Sequence, residues 1–130
     1  MRQLAVESGS GKHRVILSAT VTEDGIICAL LGGDKPHLGA VVLSVPRPSL
    51  ANPTEASCTS SVLPLVGHKD DEAAKPLAEM IARVTGSPVS VAAGLHINNA
   101  SPDDIEKLLK NTRDCGVRLL HLIKDKNLTD

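Results

Sequence analysis

The chain has 130 residues, 42% of them apolar, and a formal net charge of −1, which predicts a single domain over residues 1–130. It contains no Phe, Tyr or Trp, no long basic run and no apolar run of the ~20 residues that span a bilayer, so nucleic acid and membrane are not expected partners. Three cysteines without Cys-x-x-Cys spacing argue against a disulfide framework and favour a reducing, cytoplasmic location.

The first part of the chain predicts an antiparallel meander of strands. Residues 3–8 alternate weakly between apolar and polar, residues 13–22 alternate clearly, and the Asp-Gly pair at 24–25 favours a hairpin turn. The continuous apolar run at 26–31 is typical of a central strand. After a glycine-rich turn, residues 40–45 predict the fourth strand of the meander.

A proline-rich stretch follows these strands. Residues 46–53 (PRPSLANP) predict a break in all regular structure, either a mobile excursion or a flap. Residues 60–66 predict a fifth, short strand. Pro64 places that strand at an edge of the sheet, because proline has no N–H group to donate.

The next segment predicts a helix and a further strand. Asp70 or Asp71 is expected to cap a helix that runs to about Thr85. Pro76 lies inside this pattern, where it either kinks the helix or marks its true first turn. Residues 88–94 predict the sixth strand.

The last segment predicts the second helix. Ser101 is expected to cap it, with Pro102 at the first helical position, and the helix either ends near Cys115 or continues as one long helix. The order of elements predicts an α+β fold, with a mostly antiparallel sheet of about six strands and two helices packed on one face. The other face of such a sheet is bare, which favours a homodimer.

Three of the five histidines lie in short glycine-containing segments that follow predicted strands. These segments are residues 32–39 (GGDKPHLG), 67–71 (GHKDD) and 93–99 (AGLHINN). Imidazole at a strand end can bind a metal, move a proton or anchor a ligand, and glycine lets the backbone turn sharply or approach a ligand. If the fold brings His37, His68 and His96 together, they can share one divalent metal. His13 and His121 are expected to be ordinary.

Each segment also has an alternative interpretation. His68 and Lys69 precede the first predicted helix, where free N–H groups favour a phosphate or carboxylate, or they form only a solvated cap. His96 lies where ligands collect beyond strand ends, and Asn98 adds an amide group, although asparagine also shapes turns. A hairpin turn explains the glycines around His37 equally well.

The same three segments resemble those of a known family. The family carries Gly-Gly-x-x-Pro-His-Ile-Gly, then His-Lys-Asp at the start of a helix, then Ala-Gly-Ile-His-Val-Asn, and this chain matches at 32–39, 68–70 and 93–98. The chain therefore resembles the small D-subunit of gallate and 4-hydroxybenzoate-type decarboxylase systems, the LpdD-like prenylated-flavin chaperones. The resemblance spans roughly residues 26–106.

The resemblance implies a non-catalytic accessory protein with a fold similar to that of proteasome-assembly chaperones. It implies binding of reduced prenylated flavin mononucleotide with a divalent metal ion, and maturation of a UbiD-type decarboxylase. His37, His68 and His96 would be the metal ligands. Two alternatives remain open: an assembly chaperone that acts through protein surfaces only, and a small histidine-metal enzyme. The cofactor-binding residues implied are Gly32, Gly33, Lys35, Pro36, His37, Gly39, His68, Lys69, Asp70, Gly94, His96 and Asn98.

Overall fold

The computed structural model describes residues 1–65 and 70–125; residues 66–69 and 126–130 lie outside the description. The described chain forms one six-stranded sheet, in the order β1-β2-β3-β6-β4-β5, and two helices. The predicted α+β class is confirmed. The elements are β1 (Arg2–Ser8), a 3-10 turn (Gly11–His13), β2 (Val15–Thr22), β3 (Gly25–Gly33), β4 (Ala40–Pro48), β5 (Ala56–Pro64), α1 (Asp71–Thr85), β6 (Val89–His96) and α2 (Pro102–Lys124).

Strand β6 occupies the centre of the sheet. It pairs in parallel with β3, so that Gly33 lies opposite His96, and antiparallel with β4, so that Ala40 lies opposite Ala93. The predicted meander is confirmed for β1, β2 and β3, but its extension to residues 40–45 is wrong, because β6 separates β3 from β4. Strand β6 is made of small and apolar residues, which suits a strand with neighbours on both sides.

Strands β4 and β5 form a longer hairpin than the prolines suggest. Strand β4 continues to Pro48, so the predicted break over 46–53 is wrong for residues 46–48. Pairing of β4 with β6 covers residues 40–44, whereas pairing with β5 covers all of β4. A strand with a neighbour on one side tolerates the missing N–H of a proline. Strand β5 begins four residues before the predicted start at Ser60, and its edge position is confirmed.

Helix α1 ends as predicted. Its C-cap is Gly86, which adopts a left-handed conformation with φ of 70°. Pro76 lies inside the helix and is exposed, so the alternative that it marks the first turn is wrong. A proline at this exposed position removes one intrahelical hydrogen bond where water can replace the lost donor.

Helix α2 is one long helix, and the alternative of an end near Cys115 is wrong. The predicted capping is confirmed: the Asp104 N–H donates to Ser101 Oγ at 3.1 Å, and the Ser101 N–H donates to the Asp104 carboxylate at 3.0 Å. In the described part of the chain, neither helix combines the length and the apolar composition that a bilayer span requires.

Both helices cover the same face of the sheet, as predicted. Helix α2 packs on β1 and β2, α1 packs on β4, β5 and β6, and the two helices contact each other. The largest fully buried side chains between these layers are aliphatic and include Leu17, Leu30, Ile81 and Leu119. Burial alternates along β2 and β3, so every second residue faces this core.

The opposite face of the sheet carries exposed apolar side chains. Ile27 is 60% exposed and Leu43 is 46% exposed, and both lie opposite Ser90 of the central strand β6. Leu31 and Val45 extend this exposed row on the same two strands. We call this surface, defined by Ile27, Leu31, Leu43 and Val45, the open face.

Candidate functional site

Two histidine segments meet where the parallel strands β3 and β6 end. Both helices begin at this end of the sheet. Helix α1 precedes β6 in the chain and α2 follows it, and each helix runs from the carboxyl end of β6 back along the sheet. In sheets of this kind, ligands bind beyond the carboxyl ends of parallel strands, next to helix starts. The predicted segments 32–39 and 93–99 therefore lie at a favourable position for a site.

His37 is held in the loop between β3 and β4 by two acceptors. Its Nε2 atom lies 3.0 Å from Oδ2 of Asp70, and its Nδ1 atom lies 3.1 Å from the carbonyl oxygen of Lys35. A neutral imidazole donates to one of these acceptors, whereas an imidazolium donates to both. The ring is mostly buried, so its orientation is fixed by protein groups on both sides.

Asp70 joins three segments of the chain. It occupies the N-cap position of α1, and its carbonyl oxygen accepts the first helical hydrogen bonds, as expected of a cap. The residue is only 6% exposed. Its carboxylate accepts hydrogen bonds from His37 and from the N–H of Leu95, the latter at 2.8 Å. Asp70 is therefore the cap of α1 by position, as predicted, but its side chain makes no capping hydrogen bond, because the carboxylate ties the β3–β4 loop to the end of β6.

Two of the predicted site glycines make room for this arrangement. A Cβ atom on Gly94 would collide with the backbone of His37, and a Cβ atom on Gly39 would collide with the carboxylate of Asp70. Glycine permits such close approach of neighbouring segments. These two glycines serve the packing of His37 and Asp70.

The remaining residues of segment 32–39 shape the loop. Gly33 has a φ of +83°, and after it the N–H of Asp34 donates to the carbonyl of His96 at 2.7 Å. Gly32 is buried against the backbone of β2. Lys35 and Pro36 are exposed, so they are accessible to a ligand.

His96 lies beside His37. The two ring centroids are 6.0 Å apart with an interplanar angle of 80°, an edge-to-face arrangement. His96 Nε2 lies 3.1 Å from Oδ1 of Asn98, and the N–H of Asn98 donates to Asp34 at 3.3 Å. The sequence left open whether the fold brings these histidines together, and the structure places His37 and His96 side by side.

The third histidine segment cannot be placed in the same way. His68 and Lys69, with their predicted metal and phosphate roles, lie outside the described residues. Among residues 1–65 and 70–125, no group of three or more His, Cys, Asp or Glu side chains is arranged to hold a metal ion. Since both ring nitrogens of His37 already face acceptors, the metal set of His37, His68 and His96 stays a prediction.

An apolar cleft of about 340 Å³ opens next to His96 and Asp70. Its size suits a small-molecule ligand, as does its combination of apolar walls and few polar groups. Sequence reasoning missed its walls, because apolar residues at helical spacing are typical of an ordinary core. The walls come from the start of α1, the end of β6 and the first turns of α2, with Glu72, Ala73, Leu95, Ile97, Ile105, Leu108 and Leu109. We call this space the histidine cleft.

His13 belongs to a structural contact away from this cleft. Its Nε2 atom lies 2.7 Å from Oδ1 of Asp104, and the ammonium of Lys12 lies 3.5 Å from the same oxygen. The backbone hydrogen bond from Ser101 and the contact with His13 hold the pKa of Asp104 well below its ordinary value. This cluster fixes the start of α2 against the 3-10 turn.

The cysteines lie apart from the histidine cleft and are free. Burial raises the pKa of the Cys28 thiol to about 12 and that of the Cys115 thiol to about 11. Burial also raises the pKa of Cys58, against the smaller lowering effect of Arg83. The thiols are therefore protonated at neutral pH, as expected of small apolar residues.

Comparison with solved structures identifies the class of fold. The chain is similar to a chain of a chaperone complex for yeast 20S proteasome assembly, with a TM-score of 0.58 and 17% sequence identity over 95% of this chain and 94% of the yeast chain. At this identity the likeness establishes the fold, which is that of a proteasome-assembly chaperone, as the resemblance implied. Comparison with curated protein sequences gives no match.

The family follows from the sequence as a whole. The family model of the prenylated flavin chaperone LpdD-like domain matches residues 9–124, a range that includes all three histidine segments. The chain therefore belongs to the LpdD-like prenylated flavin chaperone family. The resemblance drawn from the histidine segments is confirmed.

Proposed function

We propose that this protein binds reduced prenylated flavin mononucleotide in the histidine cleft and assists maturation of a UbiD-type decarboxylase, without a catalytic step of its own. The observation that carries the proposal is the aliphatic cleft at His96, in a chain that belongs to the prenylated flavin chaperones. Three free cysteines support a reducing, cytoplasmic location. The divalent metal ion remains a prediction, since it depends on His68.

The walls of the cleft suit the prenylated ring system. Leu95, Ile97 and Leu108 present aliphatic groups to a ligand, and burial of apolar area contributes roughly 25 cal/mol per Å². A prenylated flavin is more apolar than an ordinary flavin, so it gains more from such walls. His96 lines the cleft and supplies ring nitrogens for the polar edge of the flavin, and Asn98 holds the His96 ring from outside the cleft.

The mouth of the cleft favours release as well as binding. Ile105 lines the cleft and is 47% exposed, so one wall stays open to solvent. A carrier must give up its ligand to the partner enzyme, and an open wall limits how much of the ligand is buried. The proposed role therefore requires moderate affinity for the flavin. The contact between His37 and Asp70 keeps the end of the cleft in place before the ligand binds.

The test is anaerobic titration with reduced prenylated flavin mononucleotide, followed by transfer to an apo-decarboxylase. The chain contains no Trp or Tyr, so absorbance above the peptide region reports the ligand. We expect Ile105→Asn to weaken binding several-fold, whereas Val117→Asn, at a 48% exposed position of the same helix outside the cleft, leaves it unchanged. Absence of binding by the unmodified protein would refute the proposal and favour a chaperone that acts through protein surfaces only.

We also infer a homodimer built on the open face. Exposed apolar patches of several hundred Å² are rare on monomers and mark interfaces. The open face is continuous across β3 and β4, whose exposed residues flank the central strand β6. A two-fold axis through this face would cover both sheets with the same residues.

A further inference from the structure

A second cleft continues the histidine cleft along the two helices. It has a volume of about 370 Å³, and it shares Glu72, Ala73 and Leu109 with the histidine cleft. Its apolar surface includes Leu77 and Met80 of α1. The two clefts therefore form one continuous groove between α1 and α2.

Two arginines line the second cleft, one from each helix. Arg83 belongs to α1 and Arg113 belongs to α2, and both are exposed. Within residues 1–65 and 70–125, the lysines and arginines paired with carboxylates are Lys12, Arg14, Lys107 and Lys110. Neither Arg83 nor Arg113 is in an ion pair of that part of the chain, so both guanidinium groups are available to an anion.

The start of α1 offers an anion a less favourable environment. Asp70, Asp71 and Glu72 follow one another there, and the carboxylate of Asp70 is buried beside the histidine cleft. Acids in the first turn already compensate the helix dipole, and they repel a further negative charge. A phosphate bound at the start of α1, as the sequence predicts, would therefore be repelled by these three carboxylates.

We propose that Arg83 and Arg113 bind the phosphate of the flavin nucleotide whose ring system occupies the histidine cleft. This inference rests on the proposed function and adds the location of the phosphate. A guanidinium group donates two parallel hydrogen bonds to a phosphate, whereas a lysine acts as a flexible point charge. Arginine therefore suits a phosphate held in one fixed position better than lysine does.

The groove between the two clefts has room for the sugar-alcohol chain that joins the flavin ring to its phosphate. Glu72 and Met80 are separated by eight residues of helix, about 12 Å at 1.5 Å per residue, which gives the sugar-alcohol chain a path between the two clefts. The carboxylate of Glu72 lies where the clefts join, and it can accept hydrogen bonds from the hydroxyl groups of that chain. The site therefore selects a phosphorylated flavin.

The probes for the test are reduced prenylated flavin mononucleotide and the same compound after removal of its phosphate by a phosphatase. Both are titrated anaerobically into the full chain, and the ratio of the two dissociation constants is the readout. We expect the phosphorylated probe to bind at least tenfold more tightly, since charge-assisted hydrogen bonds are the stronger class. Added salt should reduce this ratio.

The deciding variant is Arg83→Gln/Arg113→Gln, with Lys107→Gln/Lys110→Gln as the matched control because both lysines are exposed on α2 and already paired with acids. In the arginine variant, the ratio of the two dissociation constants should fall roughly tenfold. The affinity for the phosphorylated probe decreases, while that for the dephosphorylated probe stays the same. The lysine variant should keep the preference. Melting curves of all variants check that the fold is retained.

Two results would overturn the inference, and they are distinguishable. If the arginine variant keeps the preference while Lys69→Gln loses it, the phosphate lies at the start of α1 and the proposed flavin site stands. If neither probe binds to the unmodified protein, the proposed function fails and the inference fails with it.

Discussion

Nε2 of His37 lies 3.0 Å from Oδ2 of Asp70, so a loop residue and the N-cap residue of α1, 33 positions apart, share one hydrogen bond. The other oxygen of the same carboxylate accepts from Leu95. One buried acid thereby fixes the loop, the helix start and the end of the central strand relative to one another. Changes at Asp70 should therefore affect the shape of the histidine cleft as well as stability.

We expect Asp70→Ala to lower the free energy of unfolding by about 2–3 kcal/mol, because it leaves the N–H of Leu95 without an acceptor and His37 without its carboxylate. Urea denaturation measures this loss, and flavin titration should show weaker binding in the same variant. Asp71→Asn, one residue further along the helix, is the control and should change both quantities little. Equal effects of the two substitutions would contradict the role assigned to Asp70.

Gly94→Ala should destabilise the protein by about 3 kcal/mol or prevent accumulation of folded protein, because the added methyl group would occupy the space of the His37 backbone. Gly11→Ala is the comparison, since Gly11 has a φ of +57° but no atom within 4 Å of the added group. That substitution should cost about 1 kcal/mol from backbone strain alone. Thermal unfolding monitored by circular dichroism gives both values, and a smaller loss at Gly94 than at Gly11 would refute the close approach.

The pH dependence of stability should depend on Asp104. Its pKa is held below the ordinary value of 3.8, so the stability it contributes is fully present above that value and is lost as the pH falls further through the folded-state pKa. Between pH 7 and pH 2, the urea concentration at the unfolding midpoint of the unmodified protein should therefore decrease once the pH is below about 4. Asp104→Asn should flatten that fall, whereas Asp103→Asn, at an exposed position, should leave it in place. Parallel curves for all three proteins would refute this assignment.

The homodimer should depend on the open face. Light scattering at micromolar concentration should give twice the chain mass of 13.6 kDa. Ile27→Asp/Leu43→Asp introduces charge into the centre of the open face and should give a folded monomer. Val117→Asp, on the far side of the molecule, should remain dimeric. A monomeric mass for the unmodified protein would exclude this interface.

The sequence predicts those elements whose signals are local. The cap at Ser101 and Asp104 depends on residues three positions apart, and the end of α1 depends on Gly86 alone, so both are correct. The insertion of β6 between β3 and β4 depends on pairing between segments far apart in the chain, which alternation along one segment does not report. The extension of β4 through Pro46 depends on how many neighbours the strand has at that point.

The candidate site divides in the same way. Glycine and histidine after predicted strands marked His37 and His96 as candidate site residues, but only the parallel pairing of β3 and β6 shows that the two rings lie side by side. The walls of the cleft were not predicted, because Ile105 and Leu108 follow the spacing of a core-facing helix. The position of the Asp70 carboxylate was also missed, since an acid before a helix is typical of a cap and only the tertiary structure brings Leu95 to it.

The aliphatic composition of the histidine cleft bears on the lifetime of a reduced ligand inside it. Tyrosine and tryptophan rings are the side chains that most readily relay single electrons through proteins, and this chain contains neither. The apolar part of the cleft wall consists of Leu, Ile and Ala side chains, which neither give up nor accept electrons. A reduced flavin bound in this cleft, as we propose, would therefore exchange electrons with molecules that reach it through the open wall at Ile105, and not along a relay of aromatic side chains.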